Sequence, residues 1–471
     1  MKTKAMLALV VFTGAVFSTE ALSLPQNRTA LNLTVYNGNR ALVQENRKIS
    51  LAKGISTIRF EGVPATIIPQ SLIVVSKDGL NVLEQNYEFD LISREKLLEK
   101  YVGKEVTLID EDKILSDKKN VSAKIVANNF LPVFEVNGKI LLGFDGKILL
   151  PQIPENLYAK PTMNWIVQAQ KTGDFNVDVS YLTNEISWNA DYVLLLADND
   201  KSASITSWIT LTNQSGASFE NAKLSLVAGD VNMVRESGGF LAASADAVMY
   251  NGAGMQKMRE APRVEEKSVD EYHMYSVNSP VSINDRQKKQ IEMFSAQNIN
   301  VKKRYRIQSG SYGAMRGILE KGNPLNVQTE IVFETGKKNN LDMPFPKGVV
   351  RMYKKDGANN VFLGEDNINH TPINEEITLK SGNAFDISCF EKKISDRKLS
   401  EQKTEFVKEI TFSNHKKESV TLIFDERNLY GKWSIKSDDK YKKIDANTAR
   451  FELNIPSGQD VVLKYTATIE M

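Results

Sequence analysis

The stretch from Phe175 to Asp230 constrains the chain more than any other. Phe175, Val177, Val179 and Tyr181 alternate with Asn176, Asp178 and Ser180, so an extended segment has one apolar face and one polar face. Trp188 and the apolar run Tyr192 to Leu196 follow. Ile205, Ile209 and Leu211 then alternate with Thr206, Trp208, Thr210 and Thr212, and Leu224-Ser225-Leu226 closes the unit. Period-two patterning in four successive segments separated by turn residues predicts four strands in one compact sheet.

The same pattern recurs along the chain and predicts a mainly β protein: multidomain β-sandwiches with a small inserted β-barrel and little helix. A chain of 471 residues exceeds what one core normally serves, so several cores are expected. Residues 1–23 read as a secretory signal. Lys2 and Lys4 lead, about 13 apolar residues follow, too few for the roughly 20 that cross a bilayer, and Ala21-Leu22-Ser23 is a small-x-small cleavage site. The expectation is an exported protein, periplasmic or extracellular, with no transmembrane segment after cleavage.

Residues 24–101 form an N-terminal β region. It contains one short helix between Ser93 and Tyr101, where Leu97, Leu98 and Tyr101 share a face, Ser93 caps and Gly103 stops. In residues 102–151 five short apolar runs, with Asn137-Gly138 and Asp145-Gly146 between some of them, suggest the small barrel, read as a packing module. Residues 152–235 hold the central sheet. Residues 236–268, rich in Gly, Ala and Met and ending in Glu265-Glu266-Lys267, read as a flexible loop. Residues 269–400 continue the β domain, and residues 401–471 read as a C-terminal β-sandwich region.

A formal charge of +2 argues against nucleic acid as a partner. Lys302-Lys303-Arg304 with Arg306 reads as the solvated face of a strand. Cys389 is the sole cysteine, so an intrachain disulfide and a multi-cysteine zinc site are excluded. Alternation puts it on one face with Phe385 and Ile387, as a buried apolar residue. The three histidines form no His-Glu-x-x-His, and there is no Gly-x-Ser-x-Gly or phosphate-cradling loop.

The residual candidates are few. Glu365, Asp366, His370 and Asp386 lie within a short span, and a metal or acid/base site would require them to meet in one cleft. The structural reading is that they organise turns and strand ends, with Arg351 pairing across strands to Glu365 or Asp366. Among the tryptophans, Trp188 reads as core. Trp208 lies on a Thr-rich face where it is the candidate for stacking on a sugar.

Two sets of residues carry a resemblance. Tyr181-Leu182-Thr183-Asn184-Glu185-Ile186-Ser187-Trp188-Asn189-Ala190-Asp191-Tyr192 resembles the hallmark of the bacterial domain-of-unknown-function family four-one-three-nine, which includes mucoidy inhibitor A-like exported proteins. Pro346-x-Gly348-x-Val350-Arg351-x-Tyr353, Gly364-Glu365-Asp366, His370-Thr371-Pro372 and Gly382-x-Ala384-Phe385-Asp386 are similar to its C-terminal signature. The resemblance implies an exported β-rich architecture and supplies no mechanism. Many such relatives carry a helical coiled-coil pair in the N-terminal half, and this chain offers one short helix there.

The expected function is a non-enzymatic binding or scaffolding role in the bacterial cell envelope, toward an envelope protein or a glycan and with no cofactor. The alternative is a metal-dependent hydrolase, or a carbohydrate-binding protein, acting on envelope polymers.

Overall fold

The structure, a computed structural model, describes residues 28–111, 115, 119–154, 157–229, 231–232, 264–309 and 323–471, with the backbone of 22–23. The signal read in residues 1–23 and most of the expected loop lie outside the described side chains. The described chain is mainly β, in several sheets, with a single α-helix and one 3-10 turn. That helix, Arg94–Lys100, is capped as its sequence predicts, with the Ser93 hydroxyl accepting from the Lys96 amide.

The four central strands do not form one sheet. Gly173–Asn184 and Phe219–Ala228 belong to an eight-stranded sheet with Arg28–Tyr36 and Arg40–Leu51, whereas Ile186–Leu196 and Ser202–Asn213 belong to a five-stranded sheet. The chain changes sheets at Glu185, whose φ is 61°. The inward residues change phase at the same point, from odd (Val177, Val179, Tyr181) to even (Ile186, Trp188, Ala190), because the corner consumes one residue of the alternation. Side chains from both sheets then fill one core: Trp188 is fully buried and its indole N–H donates to the Val227 carbonyl of the other sheet at 3.2 Å.

The five-stranded sheet is completed from far along the chain. Gly348–Asp356 pairs in parallel with Ile186–Leu196, so two segments more than 150 residues apart in sequence lie side by side. At Gly348 a Cβ would sit 2.0 Å from the Ala190 carbonyl oxygen, which explains glycine there. Asn359–Ile368 forms one edge of this sheet and Gln287–Asn300 the other.

Strands Gly54–Glu61, Thr162–Ala169 and Leu80–Glu88 form a smaller sheet on the same core. Thr162–Ala169 and Leu80–Glu88 pair directly, so the unit of residues 102–151 is spliced between neighbouring strands. That unit contains the five expected strands, but no closed barrel. Its order runs Lys139–Leu141, Val133–Val136, Asn120–Ala127, Glu105–Ile109, Lys147–Leu149, and the two outer strands do not pair. They are nevertheless joined by only residues 142–146, a reach of about 20 Å at most, so the sheet curls. Phe144 of this connection packs edge-on against buried Phe134, 6.0 Å between ring centres, and fills the seam with a side chain where a barrel would have a hydrogen-bonded ladder.

A second large core lies between a six-stranded sheet and a five-stranded sheet at the C-terminal end. It draws on Tyr305, Ile307, Ile387 and Cys389 as well as residues beyond 401, so it begins earlier in the chain than the expected C-terminal region. The six-stranded sheet also sends Ile331, Phe333, Ile377 and Leu379 into the first core and so joins the two. Glu265-Glu266-Lys267, expected in a loop, sit instead in the strand Val264–Val269, which pairs with Tyr272–Val277.

Candidate functional site

The four polar candidates are not brought together. Glu365 forms an ion pair with Arg351, 3.4 Å from its Nε, on the outer face of the central five-stranded sheet. Asp366 accepts from the Asn367 and Lys380 amides, both at 2.8 Å, and so ties Asn359–Ile368 to Glu376–Asn383 of the next sheet. His370 Nδ1 accepts from the Lys347 amide at 3.2 Å and holds a turn. The Asp386 carboxylate faces Lys416 at 3.9 Å, and its carbonyl accepts from the His415 amide. Among the described residues no group of three or more His, Cys, Asp or Glu is placed to hold a metal ion.

Phe385 precedes the strand Ile387–Lys398 and is 97 % exposed, while Ile387 and Cys389 point into the second core. Burial, with the nearby Glu391 charge, pushes the Cys389 thiol well above its usual range, as befits an inert core residue. Phe385 stands at the lip of a cavity of about 230 Å³ beside Tyr305 and Lys416. There burial first, and then Glu418, Asp200 and Asp386, push the Tyr305 phenol up to about 12, so it stays a neutral donor.

The structure does unite Glu365 with Trp208. The five-stranded sheet turns its even-phase residues of Ser202–Asn213 away from the core, and Trp208 lies there half-buried, in register with Asp191 on one side and Glu292 on the other. Around it a chain of polar contacts crosses all five strands. Glu365 pairs with Arg351, Arg351 Nη1 donates to Asp191 at 3.1 Å, Thr210 Oγ1 donates to Asp191 at 2.6 Å, and Gln290 Nε2 donates to Thr210 at 3.2 Å. Of the two cross-strand partners expected for Arg351, Glu365 and Asp366, it is Glu365 that pairs with it. Further along the same face Tyr353 and Phe362 meet at 5.4 Å, with Phe362 54 % exposed. From register, Trp208 and Tyr353 stand two strand spacings and four residues apart, about 16 Å. The result is an open face with aromatic groups at two points and fixed hydrogen-bonding groups between them.

Sequence reasoning missed three buried charge systems. On Arg40–Leu51 the inward series Ala41, Val43, Ile49, Leu51 is interrupted by Glu45 and Arg47. Arg47 donates to Glu45 Oε2 at 2.7 Å, the Tyr181 hydroxyl donates to Glu45 Oε1 at 3.1 Å, and Arg47 stacks 4.0 Å over Phe60, which in turn stacks on Trp165. On the outer face of the six-stranded sheet Glu376, Arg304, Glu330, Arg306, Asp425 and Arg450 alternate in sign across five strands. Arg306 is buried here, which corrects the expectation of a solvated basic face. Burial alone would raise the Asp425 carboxyl, but hydrogen bonds from Arg450 and Arg306 outweigh it and hold the group below the usual range.

The third system closes one end of the second core. Lys408 Nζ lies 3.1 Å from Glu391 and 2.9 Å from Glu426, and the Tyr465 hydroxyl donates to Glu426 at 2.5 Å. All three charged residues sit in inward phase on strands that are otherwise apolar inside, among Cys389, Ile410 and Phe424. Charged residues in an inward phase are the signal that would have revealed all but the outer-face ladder. A scan against protein-family models and a search of curated proteins match nothing to this chain.

Proposed function

We propose that the protein is an exported, non-enzymatic binding protein of the bacterial cell envelope, and that the outer face bearing Trp208 is its binding surface for a glycan. The signal read in residues 1–23 and the resemblance to mucoidy inhibitor A-like proteins are the grounds for the location. In the same reading the stacked pairs of sheets are β-sandwiches that hold this face rigid. The observation that carries the ligand class is Trp208 flanked by Asp191, Glu292 and Arg351 on the outward face of a five-stranded sheet. An indole offers a stacking plane for the apolar face of a sugar, and the Asp191 carboxylate and Arg351 guanidinium, already locked by neighbours, meet its hydroxyls without further loss of side-chain freedom. Tyr353 and Phe362 extend the surface far enough for several sugar rings. The hydrolase alternative has less support, since Glu365, Asp366, His370 and Asp386 each serve a different contact.

Affinity electrophoresis through gels containing envelope polysaccharide tests the reading. Retardation of the wild type, lost in Trp208→Ala with an unchanged far-ultraviolet spectrum, supports it. Free migration of the wild type in every polysaccharide, or equal retardation of the variant, counts against it.

A scaffolding role has its own supporting observation. The curled unit exposes Phe130 completely and Leu131, Ile140 and Leu142 by more than half, at or near one end of its sheet. Apolar groups gathered in this way are typical of protein contact surfaces. A photo-crosslinker at Leu131 that captures no protein in intact cells would remove this role and leave the glycan reading untouched.

A further inference from the structure

We propose that the cavity beside Tyr305 is a binding site for a small aromatic carboxylate, with the carboxylate held by Lys303 and Lys416 and the ring against Phe385. The cavity lies where the two large cores meet, with Leu196 and Ile331 of the first and Tyr305 of the second in its wall. Ligand sites favour such junctions, and a volume of about 230 Å³, below the range for drug-sized ligands, restricts the occupant to a small molecule. A β-bulge opens it. Gln328–Glu334 pairs with Glu376–Asn383 so that Thr329 is opposite Gly382 and Glu330 opposite Lys380, which leaves Ser381 without an opposite residue and bends the strand. Gly382 has a φ of 144°, and nothing lies within 4 Å of where its Cβ would be, so the backbone there borders open space.

The wall sets the sign of the ligand. Among the described residues Lys303 and Lys416 are the only charged side chains that line the cavity. Their carboxylate partners stand outside the lining. Asp200 meets Lys303 at 3.2 Å but is shared with Lys354 at 2.6 Å, and Asp386 comes no closer to Lys416 than 3.9 Å, beyond hydrogen-bond distance. An ammonium has three N–H donors, so both lysines keep donors for an incoming anion. They flank one phenol: Lys303 lies two residues before Tyr305 on the same face of its strand, and Lys416 Nζ stands 6.0 Å from the centre of the Tyr305 ring. The neutral Tyr305 hydroxyl is a further donor. Leu363 and Ala384 give the body of the ligand an apolar surface, and Phe385, 97 % exposed at the lip, offers a ring for an aromatic group to stack on.

Leu196 turns to the inner side of the sheet whose outer side carries Trp208, so this site is separate from the glycan surface and its test does not depend on that reading. Saturation-transfer NMR titrations of the full chain, with benzoate, benzyl alcohol and acetate as probes, test it. Saturable binding of benzoate is expected, with benzyl alcohol weaker by about tenfold through loss of the charge and acetate weaker by about tenfold through loss of the ring. Lys416→Gln should weaken benzoate about tenfold and leave benzyl alcohol unchanged. Phe385→Ala, a change at an exposed position, should weaken both aromatic probes about threefold. Absence of saturable benzoate binding, benzyl alcohol or acetate binding as tightly as benzoate, or benzoate binding unaffected by Lys416→Gln or by Phe385→Ala would each overturn the assignment.

Discussion

Two buried clusters of the same chemical type, one in each large core, are built to different plans. In the first core Glu45 has one cation, Arg47, and one phenol, Tyr181, and the arginine is covered by the Phe60 ring. In the second core Glu426 has Lys408 and the Tyr465 phenol, but Lys408 is shared with Glu391, and the group opens onto a cavity. The first lies closed within its core; the second joins three charged groups and opens onto a cavity. A buried ion pair does little for net stability, because desolvation offsets most of its attraction. Its main effect is to penalise any arrangement that separates the partners.

The comparison can be broken by removing the cations. Arg47→Met leaves Glu45 charged inside a closed core and should cost about 3–5 kcal/mol in urea unfolding. Lys408→Met should cost less, about 2–3 kcal/mol, since water in the cleft can solvate the two carboxylates. Equal losses would mean that the cleft is as dry as the first core. Replacing Glu45 and Arg47 together by Met should recover most of the loss, to within about 1 kcal/mol of the wild type.

The outer-face ladder gives a pH test of a third, balanced system. The folded value of Asp425 lies below the ordinary carboxylate value of about 3.9, so its contribution is fully present above that value and is lost as pH falls through the lower folded value. The urea midpoints of wild type and Asp425→Asn should therefore differ by a constant amount from pH 5 to 7 and converge in stronger acid. A gap that persists unchanged at pH 2 would place the effect in packing.

Smaller effects sharpen the contrast between carboxylates. Glu391→Gln removes one of the two carboxylates that Lys408 serves and should change stability by no more than about 1 kcal/mol. Smallest of all should be Trp208→Ala, within about 1 kcal/mol, since the ring lies outside every core cluster. Trp188→Ala, which empties a fully buried site, should cost about 3–5 kcal/mol by the same measurement.

Much of the local structure was legible in the residues. The Ser93 cap, the five short runs between Glu105 and Leu150, and the inward placement of Cys389 follow from patterns a few residues long. The sheet change at Glu185 was legible too, as a one-residue slip in the alternation, but reading four strands as one sheet hides it. Of the candidate site, Trp208 and the Arg351–Glu365 pair were recoverable from strand phase. The meeting of Arg351 with Asp191 was not, because 160 residues separate them. Phe385 was misplaced on a buried face because alternation was carried past the point where its strand begins.

The sequence by itself determined that this chain makes strands, and which side of most strands turns inward, because a strand repeats every two residues and its phase is visible locally. Only the tertiary structure decided which strands share a sheet, that the small unit curls without closing, and that Glu391, Lys408 and Glu426 meet at the end of one core. Those outcomes depend on pairing between segments distant along the chain, and an alternating pattern leaves open which other strand will satisfy its hydrogen bonds.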